Sequence, residues 1–303
     1  MRSYLLLLFC ASLYGSNFVL GSLLLQAFPA LHLSAYRLAV SSMFLLLYLI
    51  GTRRLVRVSL RDAVYFIPYA LVGMLLHQVT FFTGLRTVDA TTASLILSLS
   101  PICTALFARL FLKEPFTLRM TMGSVVAFAG VFFVVANGAG FMLRISSGIG
   151  WMLICMLAFS GSVVLMKKLT ERIEPLVATA YSTMLGCIAV LPVSIWIEPH
   201  AVIRPHYVWW LVLIGSALLI QGLCAVVWNA QIRQVGAATA SLFLNLQPFV
   251  AMMSGYFILG TPISYMQVAG SLLIICGVIL ATFQRRSKRT AHADQLHMSV
   301  VER

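Results

Sequence analysis

The sequence predicts an all-α polytopic membrane protein, with ten transmembrane helices arranged as two inverted five-helix repeats. Three observations lead there: apolar runs of spanning length along the whole chain, a one-sided distribution of basic residues, and a segment written twice. The 303 residues are 61% hydrophobic and 10% charged, with a mean hydropathy of +0.97. A soluble domain of this size would carry roughly a quarter of its residues charged. About 20 apolar residues suffice to cross a hydrocarbon core of about 30 Å.

Reading apolar runs between breakers gives the spans in order. The first five are Tyr4–Ala27, Leu33–Ile50, Val64–Leu85, Ala90–Phe111 and Met120–Ala136. The next five are Gly150–Leu169, Leu176–Ile197, Tyr207–Ile232, Ala237–Leu259 and Ile263–Phe283. Turn formers occupy the connections: Pro29, Gly51, Pro115, Gly138 and Gly140, Pro175, Pro199 and Pro205, Gly236, Pro262. With this division 17 Lys and Arg residues fall on one side, among them Arg53, Arg54, Arg57, Lys167, Lys168 and the tail from Arg285. Only three (Arg86, Arg144, Arg204) fall on the other, and Arg37 lies inside a span. Basic residues collect on the cytoplasmic side, so both termini are expected in the cytoplasm.

The repeat is visible as "DATTASLILSLSP" (Asp89–Pro101) against "GAATASLFLNLQP" (Gly236–Pro248), 147 residues apart. At the same offset Arg86 meets Arg233, Gly123 meets Gly270 and Gly130 meets Gly277. An odd number of spans per copy makes the second copy enter the membrane from the opposite side, the arrangement of many secondary transporters. The first repeat is placed at residues 1–140, the second at 146–284, and a basic cytoplasmic tail at 285–303.

Composition excludes other readings. The net charge of +13 lies on the loops of one face and in the tail, where acidic lipid headgroups are natural company; no nucleic-acid partner is expected. The six cysteines all fall in apolar runs without CxxC spacing, where cysteine acts as a small hydrophobe. No cofactor and no metal are expected. "MRSYLLLLFCAS" has a short basic start and an apolar core, but the apolar character continues to Leu25, a spanning length rather than that of a cleaved signal. The expected partners are the bilayer and a small molecule, with the chain as a monomer.

Several residues carry chemistry. Pro101 and Pro248 fall mid-span, where proline removes an N–H and clashes with the carbonyl four residues back. Each bends its helix, as a static kink or as a hinge. Gly123, Gly130, Gly270 and Gly277 are spaced by seven in pairs, putting small residues on one face for close helix packing. Arg37 costs at least ~2.5–3.5 kcal/mol if centred in the bilayer; it either snorkels to the outer interface or serves as a cavity cation. His77, with Gln78 beside it, sits mid-span and titrates near neutrality; packing is the alternative. Asn17, Ser98, Asn229, Asn245 and Gln247 are further mid-span polar groups, with Ser98 and Asn245 at equivalent repeat positions; singly each suits a helix–helix contact, and together they point to a polar cavity. Trp228 is the repeat counterpart of Phe81, a pair fit to wall a cavity with aromatic rings. All eight acids lie in loops or at helix ends, which weighs against proton-coupled export of cations.

The segments "LYGSNF", "AYRLA" and "ASLILSLSPICTALFARLFLKEPF", within ten spans, resemble the EamA family of the drug/metabolite transporter superfamily. The resemblance covers roughly residues 4–283. Tyr14 stands where the family usually has Trp, and Glu114 has Thr261 as its repeat counterpart where many relatives keep a second Glu. The resemblance implies an inner-membrane exporter of amino acids, other metabolites or drugs, working through a central cavity between the halves. The alternatives are multidrug efflux and, further off, a membrane-embedded receptor or enzyme. An enzyme would need a cluster of His, Asp or Glu near one face, and the sequence places none there. The glycine spacing also resembles the dimerising last helix of the small multidrug members of that superfamily.

Single cysteines at Arg57 and Arg286, in a background cleared of native cysteines, are expected to react with impermeant reagents from the cytoplasm only. Cysteines at Ala30 and Gly140 are expected to react from outside. Both sets reacting from one side would contradict the ten-span reading.

Overall fold

The computed structural model describes residues 2–56, 59–114, 118–138, 147–199, 206–260, 263 and 265–282; the basic tail 285–303 lies outside them. All regular structure among the described residues is helical. Ten rods follow in series: α1 (Arg2–Leu24), α2 (Ala30–Gly51), α3 (Asp62–Leu85), α4 (Ala90–Leu112), α5 (Leu118–Gly138), α6 (Ser147–Arg172), α7 (Pro175–Ile197), α8 (Tyr207–Val235), α9 (Ala237–Leu259) and α10 (Tyr265–Thr282). Eight of them are long and apolar enough to cross a membrane; the apolar stretches described within α5 and α10, Leu118–Gly130 and Val268–Gly277, are shorter. The chain is an all-α polytopic membrane protein. Its outer belt carries large apolar side chains such as Phe9, Leu47, Val64, Leu110, Ile188 and Phe257, as contact with lipid requires.

Local chemistry sets the rod ends. Asp89 caps α4: its Oδ1 accepts from Thr92 N at 2.9 Å and its Oδ2 from the Thr92 hydroxyl at 2.6 Å, satisfying first-turn donors. Pro175 opens α7, where its missing N–H costs no helical bond. Gly236, at φ 91°, makes the turn between α8 and α9, a backbone state that side chains disfavour.

Packing pairs the rods in couples. The closest pair is α5 with α10, and α2 packs against α7. The contacts α1–α9 and α4–α6 form one couple; α3–α7 and α2–α8 form another. Each contact maps onto its partner when the first five rods are exchanged for the last five.

The α5–α10 crossing explains the four glycines. A Cβ on Gly130 would stand 2.5 Å from the Gly270 carbonyl oxygen, and one on Gly277 would stand 2.5 Å from the Gly123 oxygen. The rods therefore run antiparallel at backbone contact, with no room for a methyl group. In lipid, where apolar burial between helices gains little, such close packing supplies the adhesion.

Two carboxylates fasten opposite ends of the bundle. At the α1–α2 end, Glu198 Oε2 accepts from Leu31 N at 3.1 Å, His32 N at 3.4 Å and His32 Nδ1 at 3.1 Å, while Oε1 faces Arg86 Nη1 at 3.5 Å. At the other end, Glu114 accepts from Ala237 N at 3.1 Å and Ala238 N at 3.2 Å. Each acid ends a rod of one half of the chain and caps the N-terminus of a rod from the other half, where the helix dipole favours negative charge.

Gly130→Ala and Gly277→Ala are each expected to destabilise the folded protein by about 1–3 kcal/mol, the range for overpacking. Gly51→Ala, with nothing within 4 Å of its new methyl, serves as the neutral control. Thermal melts in detergent that rank all three alike would contradict the backbone-contact crossing.

Candidate functional site

A cavity of about 150 Å³ lies in the middle of the bundle, lined by α1, α2, α3, α4, α6, α7, α8 and α9. Helix irregularities shape its wall. In α3 the stretch Tyr69–Leu76 is wound as π-helix, and in α8 the stretch Ala217–Cys224 is too. In α4 the bonds Ser98 N to Leu95 O and Leu99 N to Ile96 O form a 3₁₀ turn just before Pro101. In α9 the 3₁₀ segment Phe243–Leu246 precedes Pro248. Tyr69, Gly73 and Met74, Ile220 and Gln221, Leu97 and Ser100, and Gln247 all come from or beside these irregular stretches, and all line the cavity.

Six of the residues singled out in the sequence meet there: Asn17, His77, Gln78, Phe81, Asn229 and Gln247. Asn229 Nδ2 donates to the Thr179 hydroxyl oxygen at 2.9 Å. The His77 ring lies 5.4 Å from the Phe159 ring centroid and 6.1 Å from that of Phe81. Phe81 also packs on Phe18 at 5.4 Å, making one wall aromatic.

Four others stand off the lining. Ser98 is buried, and its hydroxyl donates back to Leu95 O at 2.6 Å; the turn before Pro101 spends it inside its own helix and presents Ser100 instead. Asn245 is buried with its Oδ1 unpartnered, and Gln247, the repeat counterpart of Ser100, takes the lining position. Trp228 packs edge-on against Tyr14 at 5.6 Å, so Tyr14 rather than Trp228 faces the cavity. Arg37 is fully buried and donates through Nη2 to Asn17 Oδ1 at 2.6 Å, with its guanidinium 5.8 Å from the Phe82 ring centroid. Of the two placements open for Arg37, the structure takes neither as framed: it neither snorkels nor lines the cavity, but sits behind the wall.

Sequence reasoning missed Tyr14, Tyr69, Phe159, Ser162, Thr179, Thr183 and Gln221, which also line the cavity. The hydroxyls of Ser162, Thr179 and Thr183 donate to carbonyls of their own helices, Phe159 O, Pro175 O and Thr179 O, at 2.6–2.7 Å. The oxygens of Ser162 and Thr183 thus remain as acceptors, while that of Thr179 already accepts from Asn229. No Asp, Glu, Lys or Arg stands among the lining residues. The site can hold a small polar or amphipathic molecule by neutral hydrogen bonds and ring contacts.

The model of the EamA-like transporter family matches residues 1–136 and again 146–283. The chain belongs to this family. Members are transporters rather than enzymes, and the chain is a multi-pass inner-membrane protein of small-molecule secondary transport. It is 31% identical over 290 residues to "Uncharacterized transporter YyaM" of Bacillus subtilis, covering 93% of this chain and 94% of the relative. It is 26% identical over 278 residues to "Probable terminal-alkyne amino-acid exporter" of Streptantibioticus cattleyicolor, covering 87% and 91%. A solved structure titled "Crystal structure of protein" superposes with a TM-score of 0.74 at 19% identity, covering 91% of this chain and 95% of the other; that likeness shows the fold.

A double-mutant cycle on Asn229→Ala and Thr179→Val is expected to return a coupling of roughly 0.6 kcal/mol, and no more than about 1.7 kcal/mol, the range for hydrogen bonds between membrane helices. Strict additivity in thermal melts would contradict the α7–α8 hydrogen bond across the cavity.

Proposed function

We propose that this transporter exports amino acids or related small metabolites by alternating access. In this reading ten spans form two inverted five-helix repeats, residues 1–140 and 146–284, with both termini and the tail 285–303 in the cytoplasm. The observation that carries it is the cavity, because equivalent positions of both halves line it. Gly73 pairs with Ile220, Met74 with Gln221, Gln78 with Ala225 and Ser100 with Gln247, each at the 147-residue offset of the sequence repeat. The two family matches and the coupled helix contacts support the same division.

Size and polarity narrow the cargo. About 150 Å³ is the size of a cavity that takes one benzene-sized molecule, the scale of a small metabolite. Multidrug efflux is the second reading; it has the aromatic wall in its favour, but no lining carboxylate to hold a cationic drug. The caps made by Glu198 and Glu114 tie the two halves at opposite ends, where a rocking transporter opens and closes. Pro101 and Pro248, beside the lining residues Ser100 and Gln247, are the hinges of that motion. Gly123, Gly130, Gly270 and Gly277 hold α5 to α10 outside the cavity and take no part in binding.

Overexpression is expected to raise resistance to toxic amino-acid analogues more than to cationic drugs; the reverse ranking would favour drug efflux. In vesicles, Pro101→Ala and Pro248→Ala are each expected to slow amino-acid counterflow several-fold at near-normal expression. Parallel loss of folded protein and rate would mark the prolines as static bends. His77→Gln is expected to keep counterflow and to lose any acceleration that an imposed pH gradient gives the wild type. A full pH-gradient response in that variant would remove His77 from proton movement.

A further inference from the structure

Arg37 brings a positive charge into the interior that the bundle leaves uncompensated. It is fully buried, and its Nε and Nη1 have no hydrogen-bond partner among the described residues. No carboxylate pairs with it among the described residues; the described ion pairs lie at the rod ends. A guanidinium does not lose its proton in a protein, so the charge is permanent.

Its place decides what that charge acts on. Asn17, to which it donates, and Leu38, the next residue on α2, both line the cavity; Phe82, under its guanidinium, adjoins the lining residue Phe81. Arg37 therefore stands directly behind the wall. With no Asp, Glu, Lys or Arg among the described lining residues, Arg37 sets the sign of the potential inside. It also orients the wall. Asn17 Oδ1 is taken by Nη2 at 2.6 Å, which leaves the amide N–H groups of Asn17 for the cavity, polarised by the charge behind them.

We propose that Arg37 and Asn17 make the cavity selective for a carboxylate: the substrate's carboxylate accepts from the Asn17 amide, and Arg37 acts as the positioning and charge-bearing residue behind it. This rests on the small-metabolite transport reading and names the substrate class as small monocarboxylates, zwitterionic amino acids included. It also gives a physical reason for exclusion of cations, which the same charge repels. One unit charge a side chain away, at an effective dielectric of about 20, is worth on the order of tenfold or more in affinity.

The test is binding to the purified full-length protein of a panel of L-amino acids and of the matching amino-acid amides, read as affinity from thermal shifts. At least one acid is expected to bind at least tenfold more tightly than its amide. Arg37→Gln is expected to bring that ratio near one, weakening the acid and strengthening the amide, whose ammonium Arg37 no longer repels, and Arg37→Lys to restore most of it. Asn17→Ala, which keeps the charge, gives a second reading should Arg37→Gln fold poorly: the acid is expected to weaken several-fold more than the amide. An undiminished preference in both Arg37→Gln and Asn17→Ala would overturn the proposal. The same pairs are run with 2-hydroxy and 2-oxo acids and their amides. A preference for acids confined to that series keeps the carboxylate inference while the amino-acid reading fails. No acid preference in any series overturns the inference itself.

Discussion

In the hydrocarbon of a bilayer no water takes up a freed backbone N–H or C=O, so a spanning helix can leave α-geometry only where protein or a wet cavity receives the released groups. Four irregular stretches in this bundle follow that constraint; a fifth, the π-wound Ala108–Leu112, lies at the Glu114 end of α4 away from the cavity. The π-wound segments of α3 and α8 and the 3₁₀ turns of α4 and α9 all adjoin the central cavity. The lipid-facing crossing of α5 with α10 uses regular helix and glycine contact instead. At those four stretches irregular backbone and binding space coincide, the cavity receiving what the helix releases.

The same economy governs the charged groups. Glu198 and Glu114 sit at rod ends, where backbone N–H donors and, for Glu198, Arg86 and His32 receive them. Each bond set crosses from one half of the chain to the other, so the halves are tied at both ends by polar contacts that water can replace. The apolar contacts between halves beside the cavity cannot be traded so cheaply. Under the proposed alternating access, these polar ties are the contacts that open at one end at a time. Arg37 is the exception to the rule for charges, fully buried behind the cavity wall with only Asn17 as hydrogen-bond partner among the described residues.

Much of this was legible in the sequence, for reasons that differ by element. The α5–α10 crossing was readable because only glycine satisfies backbone contact, and seven-residue spacing keeps it on one face. A departure from α-geometry near Pro101 and Pro248 was readable because proline supplies no N–H to the helical ladder, and 3₁₀ turns stand just before both. Asn17, His77, Gln78 and Asn229 stood out because an amide or imidazole in mid-span is costly unless received. The π-wound stretches left no signal, since Tyr69–Leu76 and Ala217–Cys224 are ordinary apolar sequence. Thr179, Thr183 and Ser162 were passed over because hydroxyls that bond their own helix look neutral in sequence. Ser98 and Asn245 were given to the cavity because the repeat aligns them, but the turn just after Ser98 and around Asn245 hands the lining to Ser100 and Gln247.

The central claim is that the two halves rock about the cavity, opening one end as the other closes. Spin labels report it most directly: one pair at Arg86 and Ile197 across the Glu198 cap, another at Lys113 and Gln234 across the Glu114 cap. Distances are measured by double electron–electron resonance in lipid, in a background cleared of native cysteines, with and without substrate. The account predicts two populations per pair, with the shift at one end opposite in sign to that at the other. Distances that lengthen together at both ends, or a single fixed distance at each, would contradict it.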